Sequence, residues 1–155
     1  MAKYITPTLT ITSNAYDATT NPGPTTSPVA ISVTDLLDVT EVSSKLIAVG
    51  TTDSVLFTAT DYTTDTTAGT DGAFIFLRNL TEGMATTADI YIGHNPTGSG
   101  EMEDTGDADE DRLMTLKPGE FAFFPWDLEA NLHVDASAAV DGALEAIVFV
   151  RTGTA

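Results

Sequence analysis

Apolar and polar residues alternate with a period of two along most of this chain, in short runs broken by threonine, aspartate, glycine and proline. Successive side chains of a strand point to opposite faces, so this alternation predicts half-buried β-strands. Residues 4–12 alternate weakly through Ile5, Leu9 and Ile11 and read as one strand. Val29-Ala-Ile-Ser-Val33, residues 36–42, Lys45-Leu-Ile-Ala-Val49 and Ser54-Val-Leu-Phe-Thr58 follow in quick succession. Ala73-Phe-Ile-Phe-Leu77, Asp89-Ile-Tyr-Ile-Gly93, Asn131-Leu-His-Val-Asp135 and Leu144-Glu-Ala-Ile-Val-Phe-Val150 carry the pattern to the end. Residues 60–72 and 95–111 are dominated by polar and turn-forming residues and read as long exposed loops. Short strands at this spacing, with turn chemistry between them, predict an all-β antiparallel sandwich or barrel. Helical capacity is confined to residues 36–47 and 137–146, and one short helical turn is expected near residues 136–141.

The densest aromatic stretch is residues 112–126, two short strands joined at Lys117-Pro-Gly-Glu120. Proline presets φ at the second turn position and glycine supplies the positive φ that a type II turn needs at the third. With Leu113, Met114 and Leu116 on one arm and Phe121, Phe123, Phe124 and Trp126 on the other, the core is expected to form around this hairpin. Toward the N-terminus, four prolines between Pro7 and Pro28 oppose helix and central strand. Residues 1–27 therefore read as an extended N-terminal arm and residues 28–155 as the sandwich domain.

Residues 73–77 and 146–150 are apolar at odd and even positions alike. An antiparallel sheet with one face in water shows alternation, so continuous apolarity means that both faces are covered. In a chain of 155 residues the second cover is expected from a partner subunit.

Charge narrows the function classes. Six basic residues stand against 23 acidic ones, a net charge of −17, spread over a folded surface expected to be about 7,500 Å². Such a surface repels phosphate backbones and anionic lipid, so neither nucleic acid nor membrane is an expected partner. Without cysteine there is neither a disulfide framework nor a thiolate metal site. The first residues contain no apolar signal core, and the longest apolar runs are too short for a spanning helix, so the chain is expected to be soluble and made in the cytoplasm.

Each stretch with a chemical motif has a plainer reading. Asp104, Asp107, Asp109 and Asp111 offer oxygen ligands for weak cation binding, but the EF-hand pattern fails where Arg112 replaces glycine and Pro118 replaces glutamate. The loop is read as a solvated acidic tip, with no cofactor expected. Asp104-Thr-Gly106 matches the aspartic-protease triplet without the apolar strand that triplet requires. His94 and His133 are too far apart in sequence for a close ligand pair, and both are read as surface or strand-end residues. Asn79-Leu-Thr81 is read as an accidental glycosylation triplet. No catalytic residue is assigned, and an enzyme is not expected.

Four segments, taken in order, resemble small virion proteins of tailed bacteriophages of marine type. They are Ala73-Phe-Ile-Phe-Leu-Arg-Asn79, Ala88-Asp-Ile-Tyr-Ile-Gly93, Leu116-Lys-Pro-Gly-Glu-Phe-Ala-Phe-Phe-Pro125 and the closing Leu144–Val150 strand, together spanning residues 73–151. The resemblance implies a jelly-roll-like β-sandwich on the particle surface, often trimeric, acting as a capsid decoration (cement) protein or a head–tail accessory. Its partners would be the major capsid protein or other virion proteins, and its location the virion, assembled in the host cytoplasm. Phe121, Phe123, Phe124, Trp126, Ile147 and Phe149 are then expected to build core and oligomer interface. Two alternatives remain open: a tail or neck component, and a small cupin-like or carbohydrate-binding module with a pocket at Tyr91, His94, Trp126 and His133.

Overall fold

The computed structural model describes residues 3–12, 30–34, 37–62, 72–94 and 112–151. The chain divides into two compact units, Met1–Val39 and Thr40–Ala155. In the first, β2 (Thr8–Thr12) pairs antiparallel with β3 (Ala30–Thr34), and β1 (Lys3–Ile5) pairs with the first three residues of β4 (Leu37–Val49). Residues 4–12, expected as one strand, are thus two strands parted at Thr6-Pro7, because proline has no N–H to give a ladder. The expected boundary between residues 27 and 28 lies outside the described residues, as does most of the expected arm.

The second unit is an antiparallel jelly-roll β-sandwich. To the remainder of β4 it adds β5 (Ser54–Phe57), β6 (Ala73–Asn79), β7 (Ile90–Gly93), β8 (Arg112–Leu116), β9 (Phe121–Trp126), β10 (Leu132–Ala136) and β11 (Val140–Arg151). One sheet runs β4-β11-β6-β9 and the other β5-β10-β7-β8. The first of the eight strands lies beside the last, the second beside the seventh, the third beside the sixth and the fourth beside the fifth. A long antiparallel ribbon rolled up on itself gives this nesting, and its two sheets pack face to face.

The core lies between the sheets. Ile75 and Leu77 of β6, Ile90 and Ile92 of β7, Val134 of β10, and Leu144 and Val148 of β11 are all fully buried. Each such side chain contributes about 1.5–3 kcal/mol relative to its exposed state. The core is therefore not centred on residues 112–126, as expected from aromatic density. Trp126 and Leu116 enter it, while Leu113, Phe121 and Phe123 are 57, 63 and 39% exposed. β8 and β9 are the outermost strands of their sheets, and alternation turns every second side chain of an edge strand outward.

The helical turn expected near residues 136–141 is absent. Ser137 N–H donates to the Asp89 carbonyl at 2.9 Å, its hydroxyl accepts from Asp89 N–H at 2.9 Å, and β11 is under way by Val140. The alanines that suggested helix serve the sandwich instead: Ala136, Ala143 and Ala146 are at most 1% exposed between the sheets. Packing overrides a weak intrinsic preference. Residues 36–47 likewise fall largely in the single long strand β4. Among the described residues the only helical piece is the 3₁₀ turn Ala59–Asp61.

The Pro-Gly turn forms as its residues require. Gly119 has φ of +82°, and Glu120 N–H donates to the Lys117 carbonyl at 2.9 Å. The Glu120 carboxylate folds back to accept from Lys117 N–H at 2.8 Å. A buried amide holds this turn against the sandwich. Asn79, at the end of β6, donates from Nδ2 to the carbonyls of Ala88 and Leu116, both at 2.8 Å. Its Oδ1 accepts from Thr81 N–H at 2.9 Å and from the Thr81 hydroxyl at 2.7 Å. Its backbone N–H reaches Glu120 O at 2.9 Å, and its carbonyl receives Gly119 N–H at 3.0 Å. All four valences of the amide are filled with no exposure to water, so Nδ2 is closed to glycosylation in the folded domain.

Candidate functional site

The outward face of the β4-β11-β6-β9 sheet is paved with aromatic and aliphatic side chains. Registration sets Phe76 opposite both Phe123 of β9 and Ile147 of β11, and sets Phe74 opposite Pro125 and Phe149. Phe74 and Phe123 stack with centroids 5.4 Å apart and planes 3° from parallel, and Phe149 meets Phe123 edge-on at 6.3 Å. Phe76 and Phe121 stack at 6.2 Å. On β4, Ile47 and Val49 pack toward the core, which leaves Leu46 on the outward side, 67% exposed and close to Gly142 of β11. Charges on this face are few: the outward positions of β6, β9 and β11 between residues 145 and 151 and their partners carry only Arg78, Glu145 and Arg151. The Arg151 guanidinium lies 5.2 Å from the centre of the Phe74 ring.

The expected interface residues thus divide by face. Phe121, Phe123, Ile147 and Phe149 lie on the outward surface, while Phe124 packs against the core and Trp126 is buried in it. Phe74, Phe76 and Leu46 belong to the same surface and were not singled out from the sequence. The signal for the two phenylalanines was present in the double apolarity of residues 73–77.

A cleft of about 550 Å³ opens beside the C-terminal ends of β9 and β11, lined by His94, Leu113, Phe124, Trp126, Asp127 and Arg151 among others. Trp126 is set by an aromatic cluster with Phe57 at 6.2 Å and Tyr62 at 6.1 Å, and its Nε1–H donates to the Ala130 carbonyl at 3.0 Å. Two residues on, Leu128 has φ of +64°, a conformation that costs a non-glycine residue about 1 kcal/mol or more. His94 and Trp126 therefore do share a concavity. Tyr91 and His133, expected beside them, do not line it.

His133 instead faces outward from β10 and is only 7% exposed, which corrects its reading as a surface or strand-end residue. Its Nδ1 is 2.8 Å from Asp53 Oδ2, and both side chains are more than nine-tenths buried. Asp135, two residues on, is fully buried on the same face. There too the Arg112 guanidinium lies 4.0 Å from the centre of the Tyr91 ring. No local pattern announces this polar cluster, because its members lie up to 82 positions apart. Asp104, Asp107, Asp109 and Asp111 lie outside the described residues. Among the described residues no group of three or more His, Cys, Asp or Glu is placed to hold a metal ion. None of their helices is long and apolar enough to cross a membrane.

No family model matches this chain, and no curated protein does. A solved chain from Bacillus endospore appendages, described as a novel family of disulfide-linked pili, is similar over 99% of this chain and 92% of its own, at 9% identity and a TM-score of 0.41. A likeness at that level carries no argument about this chain.

Proposed function

We propose that this chain is a structural virion protein that decorates and stabilises a bacteriophage capsid as a homo-oligomer. The observation that carries the reading is the open aromatic sheet face on an otherwise strongly acidic jelly roll. Exposed apolar patches of this extent mark interaction surfaces. An oligomer presenting the same shell contact several times gains avidity from multivalency, and binding the assembled shell in preference to free subunits stabilises it by mass action. The ordered motifs of residues 73–151 add the resemblance to small virion proteins. Capsids lacking the protein, mixed with it and sedimented, are expected to carry it down saturably; absence from the pellet at every salt concentration overturns the reading. A tail or neck position differs in copy number, hundreds per particle for decoration against about a dozen for a neck, and quantitative gel analysis of virions separates them.

The cleft favours a second reading, a cupin-like or carbohydrate-binding module. Pockets of this volume suit a small ligand when a few polar groups converge on an apolar wall, and His94, Asp127 and Arg151 stand beside Phe124 and Trp126. A saturable change in Trp126 fluorescence on titration with soluble oligosaccharides would promote it above the shell reading.

A further inference from the structure

We propose that the outward face of the β4-β11-β6-β9 sheet binds the same face of a second copy about a two-fold axis, with β11 antiparallel over β11. This deepens the homo-oligomer reading and rests on it, but it is independent of any capsid.

Charge argues for a copy. The paired outward positions of β6, β9 and β11 carry two arginines and one glutamate, a local excess of positive charge on a chain of net −17. Among the described residues it is an extended apolar surface that a like-charged molecule can approach without bringing carboxylates together. A partner selected by electrostatic attraction would be basic and would engage the acidic remainder. The distribution along β11 is also self-complementary. Glu145 stands at one end of the face and Arg151 at the other, with Ile147 and Phe149 between them. Reversing one copy over the other brings Glu145 of each against Arg151 of its mate, twice in the dimer, and places the phenylalanines at the centre.

Area agrees. Four strands about 4.8 Å apart, each with about seven residues at about 3.4 Å rise, give a face of roughly 400 Å² in projection. That supplies the apolar centre of a standard contact of about 800 Å² per partner, with Arg78, Glu145 and Arg151 in its polar rim. The free edge of β9 is a poorer candidate. Asn79 N–H donates to the Glu120 carbonyl, so Phe121, Phe123 and Pro125 turn their backbone groups away from β6. Pro125 therefore leaves a missing donor on that edge, a common device against edge pairing. A face contact is isologous and yields a dimer, not the trimer implied by the resemblance.

The test is sedimentation equilibrium of the full chain between about 0.05 and about 0.5 M NaCl, a range over which the Debye length falls from roughly 14 to roughly 4 Å. The expected species has twice the 16.3 kDa chain mass and tightens as salt rises, because screening relieves repulsion between two acidic bodies. Phe123→Glu, on the exposed side of an edge strand, is expected to weaken association by at least about 100-fold, since each dimer would bury two uncompensated carboxylates. Leu113→Glu, an exposed apolar residue on the other sheet, should leave it unchanged. Glu145→Arg alone should weaken it about tenfold, and adding Arg151→Glu should restore it. Circular dichroism checks that each variant is folded. A monomer at every salt, a trimer, a dimer that loosens with salt, a Phe123→Glu dimer of native affinity, or a double reversal without rescue each overturns the proposal. A dimer that ignores capsids overturns the decoration reading alone, and a monomer that binds them overturns this proposal and the homo-oligomer part of that reading while leaving decoration itself.

Discussion

The two sheets of the jelly roll turn opposite kinds of surface outward. On β5-β10-β7-β8 the outward side chains include His133, Asp135 and Tyr91, and the first two are shut off from water. On β4-β11-β6-β9 the outward side chains are mostly phenylalanine and aliphatic, and Phe121 and Leu46 are more than three-fifths exposed. Sorting by polarity alone would have reversed the arrangement. What differs is local: His133 and Asp135 are buried on a face whose Val55 and Leu113 stay more than half exposed, whereas the other face is apolar from strand to strand. A buried polar group must be satisfied internally, as Asp53 does for His133. An open apolar face has nothing to satisfy, only surface to remove from water, and another molecule can do that. The contrast separates residues that hold the fold from residues left for assembly, and substitutions can test the division.

The largest effect is expected at Asn79, which joins the two sheets to each other and to the Pro-Gly turn. Asn79→Leu keeps the branched shape and removes the amide, leaving the Leu116 carbonyl and the Thr81 N–H without that partner and the Ala88 carbonyl with only the longer 3.2 Å bond from the Thr81 hydroxyl. At about 1–3 kcal/mol for each buried group left unsatisfied, the loss is expected to be about 3 kcal/mol or more. Urea unfolding monitored by circular dichroism measures it, and a change below about 1 kcal/mol would mean that water or rearrangement replaces the amide. Next comes Asp53→Ala in the buried polar cluster. It strips the acceptor from a buried imidazole and is expected to cost about 2 kcal/mol, with association untouched. A result within about 0.5 kcal/mol of zero would place that cluster in solvent and collapse the contrast between the sheets.

Much of this was legible along the chain, and for a definite reason. Period-two alternation is local, so the strands from β3 to β11 were recognised within a few residues at most ends, except that residues 36–42 and 45–49, read as two strands, form the single β4. Pro118-Gly119 announced its turn because the positive φ is a property of one residue. The parity of β9 also assigns Phe121 and Phe123 to one face and Phe124 and Trp126 to the other. What lay hidden depends on partners distant in sequence. Asn79 passed for a chance glycosylation triplet, because the groups that fill its amide include carbonyls 9 and 37 positions away. His133 passed for a surface residue, since Asp53 is 80 positions distant. Aromatic density misplaced the core, because density does not say which strand will be an edge.

The smallest effect sharpens the point that burial, not charge, decides what a pair is worth. Lys117 Nζ lies 2.5 Å from Asp89 Oδ2, a shorter approach than that of His133 to Asp53, yet the lysine side chain is 60% exposed. The hydrogen bond that Lys117 donates to the Asp89 carboxylate, and then the charge of that carboxylate, hold the Lys117 ammonium above its ordinary value of 10.5. A folded-state value raised in this way contributes stability that is complete below the unfolded value and is lost as pH rises through the folded one. Lys117→Gln is therefore expected to lower Tm by no more than about 2 °C at neutral pH, an effect that fades in high salt. The gap between wild type and variant should stay constant up to about pH 10 and close above it. A gap that stayed open well above that pH would mean that the charge of the ammonium is not what Lys117 contributes. A loss as large as that of Asp53→Ala would mean that exposure does not discount a close ion pair, and the contrast drawn between the two sheets would then lose its physical basis.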